Sequence, residues 1–310
     1  MTAPYQAADS AAADSAHSVD PDAVAVLDSH VHFWDPQRLS YPWLSEAGSL
    51  NARFAPADFA SLHPATVSAI FVEAGVDPRL SLAEVEWVLE QADQCPWILG
   101  AVAQVPLEDP GAAEAAIRRY ADTPFVVGVR RNVQDEAAGF TADADFRSGV
   151  RLLGEAGLSF DACVREYQLP ELAELAAACP QTTIVLDHLG KPKSAAAGQN
   201  PWREALRRLA EHGNVVCKLS GLATELPTDT PRPLVIALLR EALDVFGPER
   251  CLYGGDWPVM TLATSYGDWL DLVREALTAY PPAISDAVLR TNTRRVYGLQ
   301  PLPSSSTPAA

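Results

Sequence analysis

A (β/α)8 TIM barrel, eight parallel strands closed into a ring with a helix after each, is the α/β fold this sequence predicts. Three observations point there. Apolar, β-branched runs alternate with helix-like stretches over about 250 residues, the rhythm of strand–crossover–strand units with a buried parallel sheet. The runs number eight, which is what a closed barrel needs. Nearly every run ends in an ionisable or hydrogen-bonding residue, and always at its carboxyl end, where barrel enzymes keep their chemistry.

The strand candidates are Val24–His30, Val67–Ala74, Ile98–Val105, Val126–Arg130, Leu158–Val164, Thr183–Asp187, Val215–Leu219 and Cys251–Gly254. Helical periodicity fits Ser81–Ala92, Pro110–Tyr120, Ala144–Ala156, Pro170–Ala178, Trp202–Glu211, Leu234–Phe246 and Trp269–Ala279. In the first of these Leu82, Val85, Trp87, Val88 and Leu89 fall largely on one face. A doubly wound open sheet is the alternative. Against it, no G-x-G-x-x-G follows the first strand. The first connection, Phe33 to about Pro56, is long and carries Trp34, Tyr41 and Trp43, so a packed loop over the barrel mouth is expected.

The chain has 310 residues and 48% hydrophobic content, enough for one large barrel spanning 24–300. Segments 1–23, rich in Ala, Asp and Ser, and 301–310 read as a disordered leader and tail. The leader has no basic start followed by an apolar block, so it is not a secretory signal. The net charge of −17, with no basic patch, argues against nucleic-acid binding. No apolar run is long enough to span a membrane. Five cysteines, an odd number with no Cys-x-x-Cys pair, read as buried thiols in a reducing cytoplasm.

His30 and His32 carry the chemistry. On a strand, residues i and i+2 share a face, so both imidazoles aim at one point. The other strand ends supply Glu73, Gln104, Arg130-Arg131, Arg165, Asp187-His188, Lys218, Ser220 and Asp256. Three imidazoles and a carboxylate (His30, His32, His188 and Asp256) suit one divalent ion, zinc first. The same groups also work without a metal, with histidines donating to a carbonyl oxygen and Asp256 activating water. Arg130, Arg131, Arg165 and Lys218 add positive charge for substrate, and Glu73 and Trp34 line the same mouth. Asp187 is positioned to hold a histidine in its tautomer, and a Lys218–Glu73 pair is an alternative use for both. His63 and His212 read as structural, and His17 belongs to the leader.

These residues resemble a known family. Asp28-Ser-His-Val-His-Phe-Trp-Asp-Pro36 with Tyr41-Pro-Trp-Leu44 is similar to the opening of the lactonase branch of the amidohydrolase superfamily, the "amidohydrolase 2" proteins. Gly128-Val-Arg-Arg-Asn-Val-Gln-Asp-Glu136, Val185-Leu-Asp-His-Leu-Gly-Lys-Pro192, Val216-Cys-Lys-Leu-Ser-Gly221 and Tyr253-Gly-Gly-Asp-Trp-Pro-Val259 resemble its later blocks. The resemblance implies hydrolysis of a lactone, commonly a sugar lactone. His30, His32 and His188 take the metal-or-carbonyl positions and Asp256 the general-base position. The chain departs from the pattern at Arg131, where many relatives have His. It also departs after the fifth strand, where Cys163, Arg165 and Glu166 replace an expected His. No strand-4 lysine supports a two-metal site. The expected activity is a metal-optional lactonase acting on a small-molecule lactone, with self-association into a homo-oligomer allowed. Its rivals are a zinc-dependent non-oxidative decarboxylase on the same scaffold and a barrel that binds a metabolite without turnover.

Overall fold

The apolar runs become eight parallel strands whose order in space is their order in the chain. The computed structural model describes residues 26–62, 67–193 and 201–299. The expected leader and tail, His17 and His63 lie outside them. The strands are β1 (Val26–Val31), β2 (Val67–Val72), β3 (Ile98–Gln104), β4 (Val126–Arg130), β5 (Ser159–Ala162), β6 (Ile184–Leu186), β7 (Val215–Leu219) and β8 (Cys251–Tyr253). The ring closes beyond β8, where the Asp256 amide donates to the His30 carbonyl (2.8 Å) and the His32 amide to the Trp257 carbonyl (2.7 Å). Closure therefore runs through the two segments that carry the candidate chemistry.

The helices α1 (Pro56–Leu62), α2 (Ser81–Gln94), α3 (Pro110–Ala121), α4 (Ala144–Glu155), α5 (Leu169–Ala178), α6 (Pro201–Ala210), α7 (Leu222–Glu225), α8 (Arg232–Phe246) and α9 (Tyr266–Leu277) follow the strands. Side chains cap some of them. Asp109 accepts from the Gly111 and Ala112 amides at the start of α3, and Asp143 does the same for α4. Four helices were not expected: α1, α7, and the short α10 (Pro282–Asp286) and α11 (Asn292–Val296) joined by a π-helical turn. Each is too short to show a periodic apolar face. The last pair packs under β1 and β8, tied by Asn292 Nδ2 donating to the Cys251 carbonyl (2.9 Å).

The core has two parts. Apolar strand residues meet the helices in one continuous layer. Inside the bore, Ile70, Val72, Val102, Val185, Val216, Leu252 and Tyr297 form a separate apolar plug. Above this plug the bore turns polar: Lys218 lies two residues beyond Val216, on the same face of β7. The long first connection packs as expected. Trp34, Tyr41, Leu44 and Leu50 are buried with Ala74 and Val76, and Trp34 pairs with Phe54.

Candidate active site

The β-strand period delivers the two imidazoles as expected, with Nε2 of His30 and His32 3.1 Å apart. What each ring does at its other nitrogen fixes its tautomer. His32 Nδ1 lies 2.8 Å from the Val72 carbonyl, so that nitrogen carries the proton and donates it. His30 Nδ1 lies 3.2 Å from both Asp187 Oδ1 and the Lys218 ammonium, and the anionic carboxylate favours the proton on that nitrogen. Both Nε2 atoms are then bare, face each other, and look toward Asp256, whose Oδ1 stands 3.5 Å from His32 and 3.8 Å from His30. Asp256 reaches this point on a left-handed backbone (φ 59°). His188 and Leu189 share that conformation at φ 54°. Such strain is tolerated where the surrounding structure over-determines it, and it clusters at functional sites.

Below the imidazoles lies a web of ions with no solvent exposure. The Lys218 ammonium sits 2.5 Å from Asp161 and 3.1 Å from Asp187. The Tyr297 hydroxyl donates to Asp161 from 2.6 Å. Lys218 Nζ is also 3.2 Å from His30 Nδ1. Burial pushes Asp187 up, but the Lys218 charge and His30 overcome it and hold the carboxyl well below the usual range. An anionic Asp187 is what keeps the proton on His30 Nδ1. The expected Lys218–Glu73 pair does not form. Glu73 Oε1 instead takes Arg130 Nε at 2.5 Å.

Asp28 is a second support. It is buried and accepts from the Gly255 amide (2.8 Å), the His30 amide (2.9 Å) and the Tyr266 hydroxyl (2.9 Å). It thus pins the segment after β8, and Asp256 with it, to β1. Burial pushes its carboxyl up to about 7, although those donors pull the other way.

Desolvation sets the charge state of the centre. It drives His30 well below the ordinary imidazole value and His188 down to about 4, so both are neutral at pH 7. Burial pushes Asp256 up, but the pull of His188, the His32 hydrogen bond and His30 outweighs it and keeps the carboxyl ionised, well below its usual range. The result is an anionic carboxylate against neutral rings.

The donors fit a cation. Two ligands about 2.0–2.1 Å from a tetrahedral zinc stand about 3.3 Å apart, close to the 3.1 Å between the two bare nitrogens. Lone pairs facing each other at that distance repel unless a proton or a cation lies between them. Among the described residues two groups of three are close enough to ligate: His30, His32 and Asp256, and His30, Asp187 and His188. The four-residue set expected from the sequence is therefore split. His188 joins His30 in the second group, its Nδ1 2.9 Å from Ser220 Oγ.

A cleft of about 440 Å³ opens beside His32, with Trp43, Glu73, Gln104, Arg130 and Asn132 among its lining. The expected substrate-binding residues divide. Glu73 and Arg130 line it, but bonded to each other. Trp34 borders it but is fully buried, with its indole N–H spent on the Ala52 carbonyl (2.8 Å). Half-buried Trp43, stacked edge-on at 5.2 Å, is the aromatic that faces out. Three cations depart from the expectation because each has a nearer carboxylate. Lys218 is below the imidazoles, Arg131 turns to Glu108 (2.6 Å) and Glu136 (2.7 Å), and Arg165 pairs with Asp135 (2.5 Å). The sequence reading missed Asp28 and Asp161, whose one signal was a carboxyl inside an apolar strand. It placed Gln104 and Ser220 at strand ends and Trp43 in the mouth loop, without giving any of them a catalytic or substrate-binding part.

Comparison with known proteins shows the family. The Amidohydro_2 amidohydrolase family matches residues 27–299, and the chain belongs to it. It is 36% identical over 289 residues to an L-fucono-1,5-lactonase from Burkholderia multivorans, covering 88% of this chain and 96% of that one. A protein of the same name from Burkholderia ambifaria is 31% identical, with 78% and 83% covered. The crystal structure of an amidohydrolase from Burkholderia multivorans with bound zinc superposes with a TM-score of 0.79 at 34% identity, covering 89% of this chain and 99% of that one.

Proposed function

We propose that this chain is a hydrolase that opens a sugar lactone to its aldonic acid, with Asp256 as the base that takes a proton from the attacking water. The observation that carries the assignment of the base is the ionised Asp256 carboxylate set against His32 and His30 at 3.5 and 3.8 Å. Water oxygen bonds to the lactone carbonyl carbon as its proton passes to Asp256. The ring C–O bond then breaks, and the departing alkoxide takes that proton back.

Charge develops on the carbonyl oxygen, and a bare Nε2 cannot donate to it. With their protons on Nδ1, His30 and His32 are not direct oxyanion donors. His188 suits the task. In the tautomer that accepts from the Ser220 hydroxyl at Nδ1, its Nε2 carries the proton and can donate. His30, His32 and Asp256 are the residues that would hold one divalent ion, zinc first. When bound, that ion supplies Lewis-acid stabilisation of the same oxygen. Asp187, held anionic by Lys218, keeps His30 in its tautomer, and Glu73 and Arg130 brace each other in the cleft wall. The five cysteines are unpaired, which supports a reducing cytoplasmic setting.

The test is acid release from L-fucono-, L-rhamnono- and galactonolactones, with metal analysis and a repeat after chelation. Turnover of at least one lactone is expected. A folded protein inert on all of them, or one that instead releases CO2 from an aromatic or enoic acid, sinks the proposal in favour of the decarboxylase.

A further inference from the structure

Five cations at the carboxyl end of the barrel share one property. Each faces a carboxylate of its own. Arg130 has Glu73, Lys218 has Asp161 and Asp187, and Lys191 has Glu225 at 2.8 Å. Arg131 and Arg165 are likewise paired, with Glu108 and Glu136 and with Asp135. A carboxylate on a substrate entering this mouth would have to displace one of these partners. It would do so against the field of a chain with net charge −17.

The cleft wall is built for neutral polar groups. Gln104, the last residue of β3, lines it, and Ser81 Oγ binds Gln104 Oε1 at 2.7 Å. Among the described residues the other end of that amide has no hydrogen-bond partner. Whichever way the amide is turned, one end is held by Ser81 and one is left over. Asn132 is similar: Oδ1 accepts from the Gln134 amide at 3.0 Å, while Nδ2 has no partner among the described residues. Trp43 supplies an apolar ring beside them, with its own N–H committed to the Ala74 carbonyl (2.7 Å). Oriented amide ends beside an aromatic face match the alternating hydroxyls and C–H faces of a polyol.

We propose that Gln104 is a specificity-determining contact to one hydroxyl of the lactone in this cleft, and that the site rejects lactones bearing a carboxylate. The inference rests on the lactonase reading and narrows it. The same electrostatics favour departure of the product, because hydrolysis turns a neutral ligand into an anion in a mouth with no uncommitted cation among those five.

The experiment compares three substrates: L-fucono-1,5-lactone, the unadorned δ-valerolactone and 2-pyrone-4,6-dicarboxylate. The hydroxylated lactone is expected to have the highest kcat/KM and the dicarboxylate to fall at least a hundredfold below it. In Gln104→Leu, the ratio of kcat/KM for the hydroxylated lactone to that for δ-valerolactone should drop about tenfold, the scale of one lost hydrogen bond. An equal loss on both substrates marks Gln104 as merely structural and overturns its assigned role. Should the Leu variant fail to fold, Gln104→Asn, which withdraws the amide by one methylene, reads the same ratio. Preference for the dicarboxylate overturns the inference while leaving lactone hydrolysis intact. Turnover of none of the three removes the reading beneath it, and the inference with it.

Discussion

Two ion pairs of equal length sit at opposite ends of the site. Lys218 meets Asp161 at 2.5 Å on the floor, where neither side chain has any exposure. Arg165 meets Asp135 at 2.5 Å on the rim, where their side chains are 22% and 60% exposed. Distance does not separate them, but dielectric does. On the rim, water and salt screen the attraction and ordering two long side chains costs entropy, so such pairs contribute about 0–1 kcal/mol. On the floor, removing one partner strands a desolvated charge, at about 3–5 kcal/mol. The floor therefore fixes the imidazoles, and the rim only tethers loops. Predictions that separate the two follow from the largest effect downward.

Asp256→Asn removes the proposed base. Its kcat should fall about a thousandfold, or about 4 kcal/mol of barrier, while the thermal midpoint moves little. Activity near that of the parent places the base elsewhere and makes Asp256 a bystander of the floor.

Lys218→Met should cost about 3–5 kcal/mol in urea unfolding, because Asp161 and Asp187 lose their shared cation. Adding Asp161→Asn removes one of the stranded charges, so the double variant should be more stable than the single one. If the two losses simply add, the floor is not an interacting web and the contrast with the rim collapses.

Most of this contrast was written in the sequence, but only as to place. The eight runs and their order were legible because strands of a parallel sheet buried on both faces read as continuous apolar stretches. The period of two put His30 and His32 on one face, and the shared carboxyl end of the barrel brought Asp256 to them across more than two hundred residues. Partnership was not legible. Nothing local tells Arg131 to choose Glu108, or Lys218 to sit beneath His30, since both depend on which strands are neighbours and how far each side chain reaches. Asp28 and Asp161 were hidden by the same logic. A lone carboxyl within an apolar strand gives no sign of the donors awaiting it from β8 or β7. The terminal helices escaped because two short pieces around a π turn never complete an amphipathic pattern.

Buried groups of the site also set a pH response. Burial holds His188 at about 4 in the fold, against 6.5 for a free imidazole. As pH falls from 6.5 to 4 the unfolded chain binds this proton and the folded chain does not, so the contribution is complete above 6.5 and is lost toward 4. Asp28 acts oppositely. With its carboxyl raised from 3.8 to about 7, the folded chain holds the extra proton between those limits, and stability from this group is gained as pH falls. Urea midpoints of the parent and His188→Gln at pH 7, 5.5 and 4.5 isolate the imidazole. The parent should lose stability faster than the variant over that range, and parallel curves would show that His188 is not held neutral.

The smallest effect is the one that tests the rim. Arg165→Ala should change stability by at most about 1 kcal/mol and kcat/KM by less than about twofold. The pair reaches across loops after β4 and β5, where Asp135 is mostly in solvent, and the guanidinium is committed to it through Nε and Nη2. Salt should erase what little difference remains, since a 0.15 M solution screens exposed charges over about 8 Å. The floor variants should keep their losses at the same salt. A tenfold fall in kcat/KM for Arg165→Ala, confined to KM and abolished by salt, would instead make Arg165 a substrate cation. The rim would then be part of the recognition surface, and proximity to a carboxylate a poor guide to whether a cation is free to bind.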